Sequence, residues 1–225
     1  MAGRRKKIYT DGIYHVFNKT IHSNKIFLDI HNCHLFIKII HYYRSMKARL
    51  SFSRFLDLPE SDRNRIIIQL GDAKFFRVEL LSYCLMPTHY HFLLKQNIDS
   101  GLSHFISLVM NSFTRHVNLE TDGLGPIFLT KFKSEQIDND EELKHVSRYI
   151  HLNPYTSKLV NNISALNKYP WTSYREYIAG EKRLCNINPV MSLFNNKRES
   201  YRDFVENHAD YQRTLETVKH ASRWK

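Results

Sequence analysis

Two apolar runs, residues 75–85 and 90–95, read as strands and are separated by Met86-Pro87-Thr88-His89, and period-two alternation runs through the His-Tyr-His stretch. Proline cannot donate to a ladder, so it breaks the first run, and the two form a strand pair. This pair commits the chain to a sheet, and it sets where His89 and His91 point. Alternate residues of a strand share a face, so both imidazoles can address one ion while Tyr90 and Phe92 face the opposite layer. The spacing alone is weak: a chain with 13 His in 225 residues contains about 0.7 His-x-His triplets by chance, and satisfied surface or sheet histidines are the plain alternative.

A second spacing belongs to a helix. In Arg148-Tyr149-Ile150-His151-Leu152-Asn153-Pro154 the Tyr149 phenol and the Asn153 amide lie four apart and so one above the other. Asp138 or Asp140 is expected to cap this helix, and Asn153 to end it, because the residue before a proline disfavours helical dihedrals. Brought against His89 and His91, the pair would place a nucleophile beside a metal site. A helix tyrosine is otherwise a core edge with a wet hydroxyl. His151 is out of phase with Tyr149 and reads as a surface or packing residue.

The remaining periodicities order the chain. Residues 12–18 read as a first strand, and 30–47 as a helix with Phe36, Ile39, Ile40 and Tyr43 on one face. Residues 102–119 read as a helix on Leu102, Phe105, Ile106, Val109 and Phe113, and 127–137 as the fourth strand. Strand, helix, strand, strand, helix, strand is the split βαβ or ferredoxin-like layout of the α+β class, an antiparallel sheet with helices on one face and the other face free. Residues 48–73 look like an insertion, within which 63–70 fits helix or strand equally, and 197–225 reads as a solvated helix packing on the domain.

Composition narrows the partners. Lys and Arg number 33 against 22 Asp and Glu, a net charge of +11, which suits a polyanion because each neutralised phosphate releases counterions. A membrane surface is disfavoured, since neither a long apolar span nor a basic amphipathic helix is present, and Arg4-Arg5-Lys6-Lys7 is not followed by a signal-peptide core. The cytoplasm is the expected location. Cys33, Cys84 and Cys185 are odd in number and lack a CxxC, so neither a disulfide framework nor a cysteine zinc site is indicated. Cys33 and His34 do not chelate together, because adjacent helix positions diverge by about 100°.

Five stretches in order carry a resemblance: Gly12-Ile13-Tyr14-His15-Val16 with Ile26-Phe27-Leu28-Asp29; Met86-Pro87-Thr88-His89-Tyr90-His91; Phe128 with Lys133-Ser134; Tyr149-Ile150-His151-Leu152-Asn153-Pro154; and Tyr169-Pro170-Trp171-Thr172-Ser173-Tyr174. Across roughly residues 8–178 the chain resembles the single-tyrosine HUH transposases, in particular the REP-associated branch. It departs at Thr88, where that family usually carries Asn. The resemblance implies an HUH endonuclease architecture over residues 1–178, interrupted by the insertion read at about 48–73; residues 179–225 lie beyond it and read as a helical extension. It implies Tyr149 as nucleophile, with His89, His91 and Asn153 holding Mg²⁺ or Mn²⁺. The implied activity cleaves and rejoins single-stranded DNA at hairpin, REP-like elements through a 5′-phosphotyrosine, by a monomer or homodimer.

The chemistry is consistent with the residue types. A phenol with an ordinary pKa of about 10 needs an activated phosphate, and a divalent ion polarises one and holds it in line. Two imidazoles and an amide with open positions suit Mn²⁺ or Mg²⁺. Candidate DNA contacts are Arg4, Arg5, Lys6, Lys7, His15, Arg115, Lys131, Lys133 and Arg148, His15 serving equally as a structural support for the ligands. Trp171 reads as a core anchor before a base-stacking platform. The alternative is a non-catalytic nucleic-acid module with an open, RRM-like sheet. A water-using metal hydrolase ranks behind both, because no carboxylate lies beside the histidines in sequence.

Overall fold

The computed structural model describes residues 7–181, 184–210, 212 and 214. After β1 (Ile13–Lys19) come α1 (Ile30–Tyr43), α2 (Phe52–Leu56) and α3 (Glu60–Leu70), then the hairpin β2 (Val78–Met86) and β3 (His89–Gln96). There follow α4 (Gly101–Thr121), β4 (Lys133–Ile137), α5 (Asp140–Thr156), α6 (Tyr174–Ala179), α7 (Asn188–Met191) and α8 (Arg198–Glu206). The sheet is antiparallel throughout, in the order β2-β3-β1-β4. This is the split βαβ topology of an α+β domain, with the histidine strand β3 at its centre.

Helices α1 and α4 pack together on one face, where Tyr90, Phe92 and Leu94 of β3 meet Phe36, Ile39 and Ile40 of α1 and Phe105, Val109 and Phe113 of α4. Phe36 is the hub, with ring centroids 5.5 Å from Tyr90, 5.0 Å from Phe113 and 6.0 Å from Phe128. Truncating a hub ring of this kind to alanine costs about 3–5 kcal/mol.

The opposite face is less open than the split βαβ pattern suggests. Strands β2 and β3 also place Leu81, Cys84, Met86 and Leu93 there, and α5, α6 and α8 cover them with Ile150, Leu152, Tyr174, Tyr177, Tyr201 and Val205. Strands apolar on both sides must be buried on both sides. Tyr201 and Val205 are fully buried, so α8 is a core element rather than a solvated one.

Several element limits depart from the sequence expectation, and residues 63–70, which it left open, are settled, each for a local reason. Helix α1 stops at Tyr43 because the next residues join the sheet edge: Arg77 N–H donates to the Arg44 carbonyl at 2.8 Å, and Ser45 bridges Phe76. Residues 63–70 are helical within α3, whose run Ile66-Ile67-Ile68 hid the period by leaving Ile68 78% exposed. Strand β4 begins only at Lys133, since Phe128 is drawn into the aromatic core and keeps a single bridge to Thr20. Helix α5 is capped by Asn139, not Asp138 or Asp140: the Asn139 side chain accepts from Glu142 N–H at 2.9 Å, and Glu142 accepts in return from Asp138 N–H at 2.8 Å.

Helix α5 also runs through Pro154 to Thr156 rather than ending at Asn153. Proline biases its predecessor against helical dihedrals without forbidding them. Here the last turn is held by the burial of Leu152 and Tyr155, and the Tyr155 hydroxyl donates to Asp210 at 2.5 Å. The three cysteines are unpaired thiols, and burial, with Asp29 nearby, pushes Cys33 up to about 12.

Candidate active site

Register between the central strands builds the site. His89 lies opposite Lys19 and His91 opposite Phe17 on β1, while on its other side β1 sets His15 opposite Glu135 of β4. His89 and His91 share a face with Leu93, the face that α5 covers. At the end of that cover an open cavity of about 610 Å³ remains, lined by His15, Phe17, His89, His91, Tyr149 and Asn153 together with Lys19, Lys133 and Glu135. The two spacings read from sequence therefore meet in one place.

The rings are closely packed. His89 and His91 centroids are 5.0 Å apart and nearly perpendicular. The Tyr149 ring stands edge-on to both His91, at 5.5 Å, and His15, at 5.8 Å. His91 Nδ1 shares a 3.0 Å hydrogen bond with His15 Nε2, and His89 Nδ1 shares one of 3.1 Å with the Thr88 hydroxyl. Thr88, the departure from the family pattern, thus steadies His89. The Asn153 amide donates to the Tyr149 carbonyl at 2.8 Å.

Burial keeps these imidazoles neutral. It lowers His15 to about 4; burial and then the Lys19 charge lower His89 to about 4; and burial, His15, His89 and Lys19 together hold His91 well below the ordinary range. Neutral imidazole is the ligating form, and a ligand whose second nitrogen is hydrogen-bonded is held in orientation. Among the described residues no group of three or more His, Cys, Asp and Glu could hold a metal ion. A divalent ion at this cavity would therefore have the two histidine Nε2 atoms as protein nitrogens and the Asn153 amide oxygen as third donor, with the rest of its coordination open. That mixed set fits Mg²⁺ or Mn²⁺ chemistry better than a closed structural site.

The other candidate residues divide. Lys133 stands at the cavity, its Nζ 5.9 Å from the centre of the Phe17 ring. It also lines a neighbouring groove of about 900 Å³ between α4 and residues 126–135, which takes in exposed Arg115 and Lys131. His15 is buried beside His91, a support for that ring rather than a surface contact. Arg148 is correctly on α5 but turned away from the cavity: its guanidinium lies 4.4 Å over the Phe204 ring and donates to His145 Nδ1 at 2.7 Å. Lys7 sits over the Tyr9 ring at 5.8 Å. Arg4, Arg5 and Lys6 lie outside the described residues.

His151 is a packing residue and not a surface one. It is fully buried and bonded to the Tyr201 hydroxyl at 2.7 Å and the Ser173 hydroxyl at 2.8 Å. Trp171 is half-buried, edge-on to His34 at 4.9 Å. Sequence reasoning missed Glu135 and Lys19. No carboxylate lies beside the histidines along the chain, but across the sheet β4 delivers Glu135 to the cavity, a neighbour set by strand register alone.

Comparison with known families now bears on this geometry. Residues 60–153, which include the hairpin, both histidines, Tyr149 and Asn153, match the family described as transposase, IS200-like. The fold of the chain is similar to a solved REP-associated tyrosine transposase bound to a REP hairpin, with a TM-score of 0.52 at 17% identity over 80% of this chain and 86% of that one. A crystal structure of a candidate transposase from Deinococcus radiodurans R1 aligns with a TM-score of 0.35 at 14% identity, over 67% of this chain and 95% of that one. Among curated proteins none matches the chain. The likeness to the solved transposase is one of fold, an α+β domain on a four-stranded antiparallel sheet. Among the described residues no helix is long and apolar enough to cross a membrane.

Proposed function

We propose that the protein is a single-tyrosine DNA transposase that nicks and rejoins single-stranded DNA, with Tyr149 as nucleophile and His89, His91 and Asn153 as ligands of Mg²⁺ or Mn²⁺. The observation that carries this is the meeting of Tyr149 and Asn153 of α5 with His91 of β3 in one cavity, although Tyr149 and His91 are 58 residues apart along the chain. When bound, the ion would supply Lewis-acid polarisation of the phosphate. Tyr149 attacks phosphorus, forming the tyrosyl O–P bond as the P–O3′ bond breaks, so the 5′ phosphate stays on the protein and a 3′ hydroxyl is freed. Because the phosphoester bond is conserved, attack by another 3′ hydroxyl reverses the step and joins strands without a nucleotide cofactor. Lys133 at the cavity, and Lys131 and Arg115 along the adjoining groove, neutralise the strand's phosphates.

The similar transposase carries a REP hairpin, and we propose that hairpin-flanked single strands are the substrate here as well. Residues 1–178 are proposed as the catalytic domain and 179–225 as its extension. An RRM-like binding module is disfavoured, because stacking bases needs an open sheet face and Leu81, Cys84, Met86 and Leu93 on the face in question are buried. The deciding experiment incubates the protein with Mn²⁺ and a panel of hairpin oligonucleotides and looks for an SDS-resistant adduct. The reading expects the adduct in wild type, a phosphotyrosine in the peptide containing Tyr149, and its loss with retained DNA binding in Tyr149→Phe. No adduct in wild type, an adduct at Tyr155 or Tyr174, or cleavage leaving only free ends overturns it.

A further inference from the structure

Three titratable side chains from three adjacent strands stand in a row: Glu135 on β4, His15 on β1 and His91 on β3. His15 Nε2 and His91 Nδ1 are 3.0 Å apart, and His15 Nδ1 is 4.0 Å from Glu135 Oε2, close enough for the carboxylate charge to act on that nitrogen. His15 and His91 are buried, while the Glu135 side chain is 69% exposed. We propose that Glu135 and His15 are positioning residues that hold His91 in the tautomer whose Nε2 can bind a metal ion.

The argument is one of donors and acceptors. A neutral imidazole carries one N–H, so a His15–His91 bond can run in two directions. If His15 carries its proton on Nε2, it donates to His91 Nδ1, and the His91 proton must then sit on Nε2, which blocks that atom as a ligand. If His15 carries its proton on Nδ1, its Nε2 accepts from His91 Nδ1–H and leaves the His91 Nε2 lone pair for the cavity. An ionised carboxylate only accepts. Glu135 therefore favours a proton on the His15 nitrogen that faces it and opposes a lone pair there, which selects the second direction.

His89 supplies an internal contrast. Its Nδ1 meets the Thr88 hydroxyl at 3.1 Å, and a hydroxyl rotates to donate or accept, so Thr88 orients the ring without choosing its tautomer. The proton position of His91 depends on a residue 44 positions away in sequence, and that of His89 does not. This inference rests on the metal-site reading above, and it concerns the state of the protein before any metal arrives.

The test reads tautomers directly, in the metal-free ¹⁵N-labelled protein, by long-range ¹H–¹⁵N correlation at neutral pH, and then follows Mn²⁺ binding by electron paramagnetic resonance without DNA. Wild type is expected to show His91 protonated on Nδ1. Glu135→Leu, at an exposed edge position that leaves the core untouched, is expected to shift His91 toward Nε2–H, spare His89, and weaken Mn²⁺ about tenfold, the scale on which partners of metal ligands act. His15→Leu should match it, and His15→Gln should restore the wild-type state, because its amide oxygen can accept from His91 Nδ1–H. His91 protonated on Nε2 in wild type, or Glu135→Leu with tautomer and Mn²⁺ affinity unchanged, overturns the proposal. Wild type with the Nδ1–H tautomer but no Mn²⁺ binding overturns the metal reading, and with it the purpose assigned to the pair.

Discussion

The side-chain amide of Asn153 donates to the main-chain carbonyl of Tyr149, 2.8 Å away and one helical turn earlier. The bond occupies the amide nitrogen and not the Asn153 oxygen, and Asn153 and Tyr149 line the same cavity. Position along α5 and amide orientation are thereby tied together. Asn153→Ala should lower Mn²⁺ affinity by at least about tenfold and reduce adduct yield in step, with little change in DNA affinity. Mn²⁺ titration and adduct gels on the same preparation check it; unaltered metal affinity would remove Asn153 from the site.

His89→Ala and His91→Ala should each abolish divalent-ion binding and cleavage while leaving the fold in place, since the cavity is open and both rings lie at its lining rather than in the aromatic core. Calorimetric titration with Mn²⁺, with circular dichroism as the folding control, makes the measurement. Thr88→Val should weaken binding by less, because it frees the His89 ring without removing a donor.

DNA affinity should fall steeply with salt, with a log-log slope of about −0.7 for each contacted phosphate on a single strand. Lys133→Ala, Lys131→Ala and Arg115→Ala should each make the slope shallower by about that amount, whereas Arg148→Ala should leave it unchanged because its guanidinium packs on Phe204. Fluorescence anisotropy across a salt series distinguishes the two groups. A slope that no variant alters counts against this groove as the strand's path.

Stability of the metal-free protein should decline as pH falls from about 6.5. Burial lowers His151 to about 3, and burial with the Arg44 charge lowers His41 to about 4. Between an unfolded value near 6.5 and these folded values the unfolded chain binds more protons, so stability is full above pH 6.5 and is lost on acidification toward pH 3–4. For fully buried His151 the loss at pH 5 is about 2 kcal/mol. Urea unfolding at pH 7.5 and 5.0 measures it, and His151→Gln, which cannot charge, should show a smaller difference between the two.

Gly101 opens α4 where a side chain has no room. A Cβ there would stand 2.5 Å from the Arg77 carbonyl oxygen and 2.9 Å from Ile98 Cγ1. Gly101→Ala should destabilise by about 1–3 kcal/mol, the range for overpacking against a fixed backbone. Thermal unfolding checks the figure, and a neutral result would mean that α4 can shift without cost.

Much of this was legible locally. The period of two placed His89 and His91 on one face of a strand, and the period of 3.6 placed Tyr149 over Asn153, because both follow from backbone geometry within a few residues. The order of apolar periodicities likewise determined the split βαβ topology, since alternating strands and helices leave few ways to bury their faces. Element ends were less legible: the cap at Asn139, the helix through Pro154 and the late start of β4 each turned on contacts made by residues elsewhere.

What the sequence by itself determined, then, was which side chains are neighbours along an element; the tertiary structure alone decided which elements are neighbours. His15 reaches His91 across 76 residues, Glu135 reaches His15 across the β1–β4 register, and Arg148 is withdrawn from the cavity by Phe204 of α8. No local pattern encodes such pairings. They are set by the register that buries the whole inner face of a sheet at once, where a slip of one residue would turn every side chain of a strand to the wrong side.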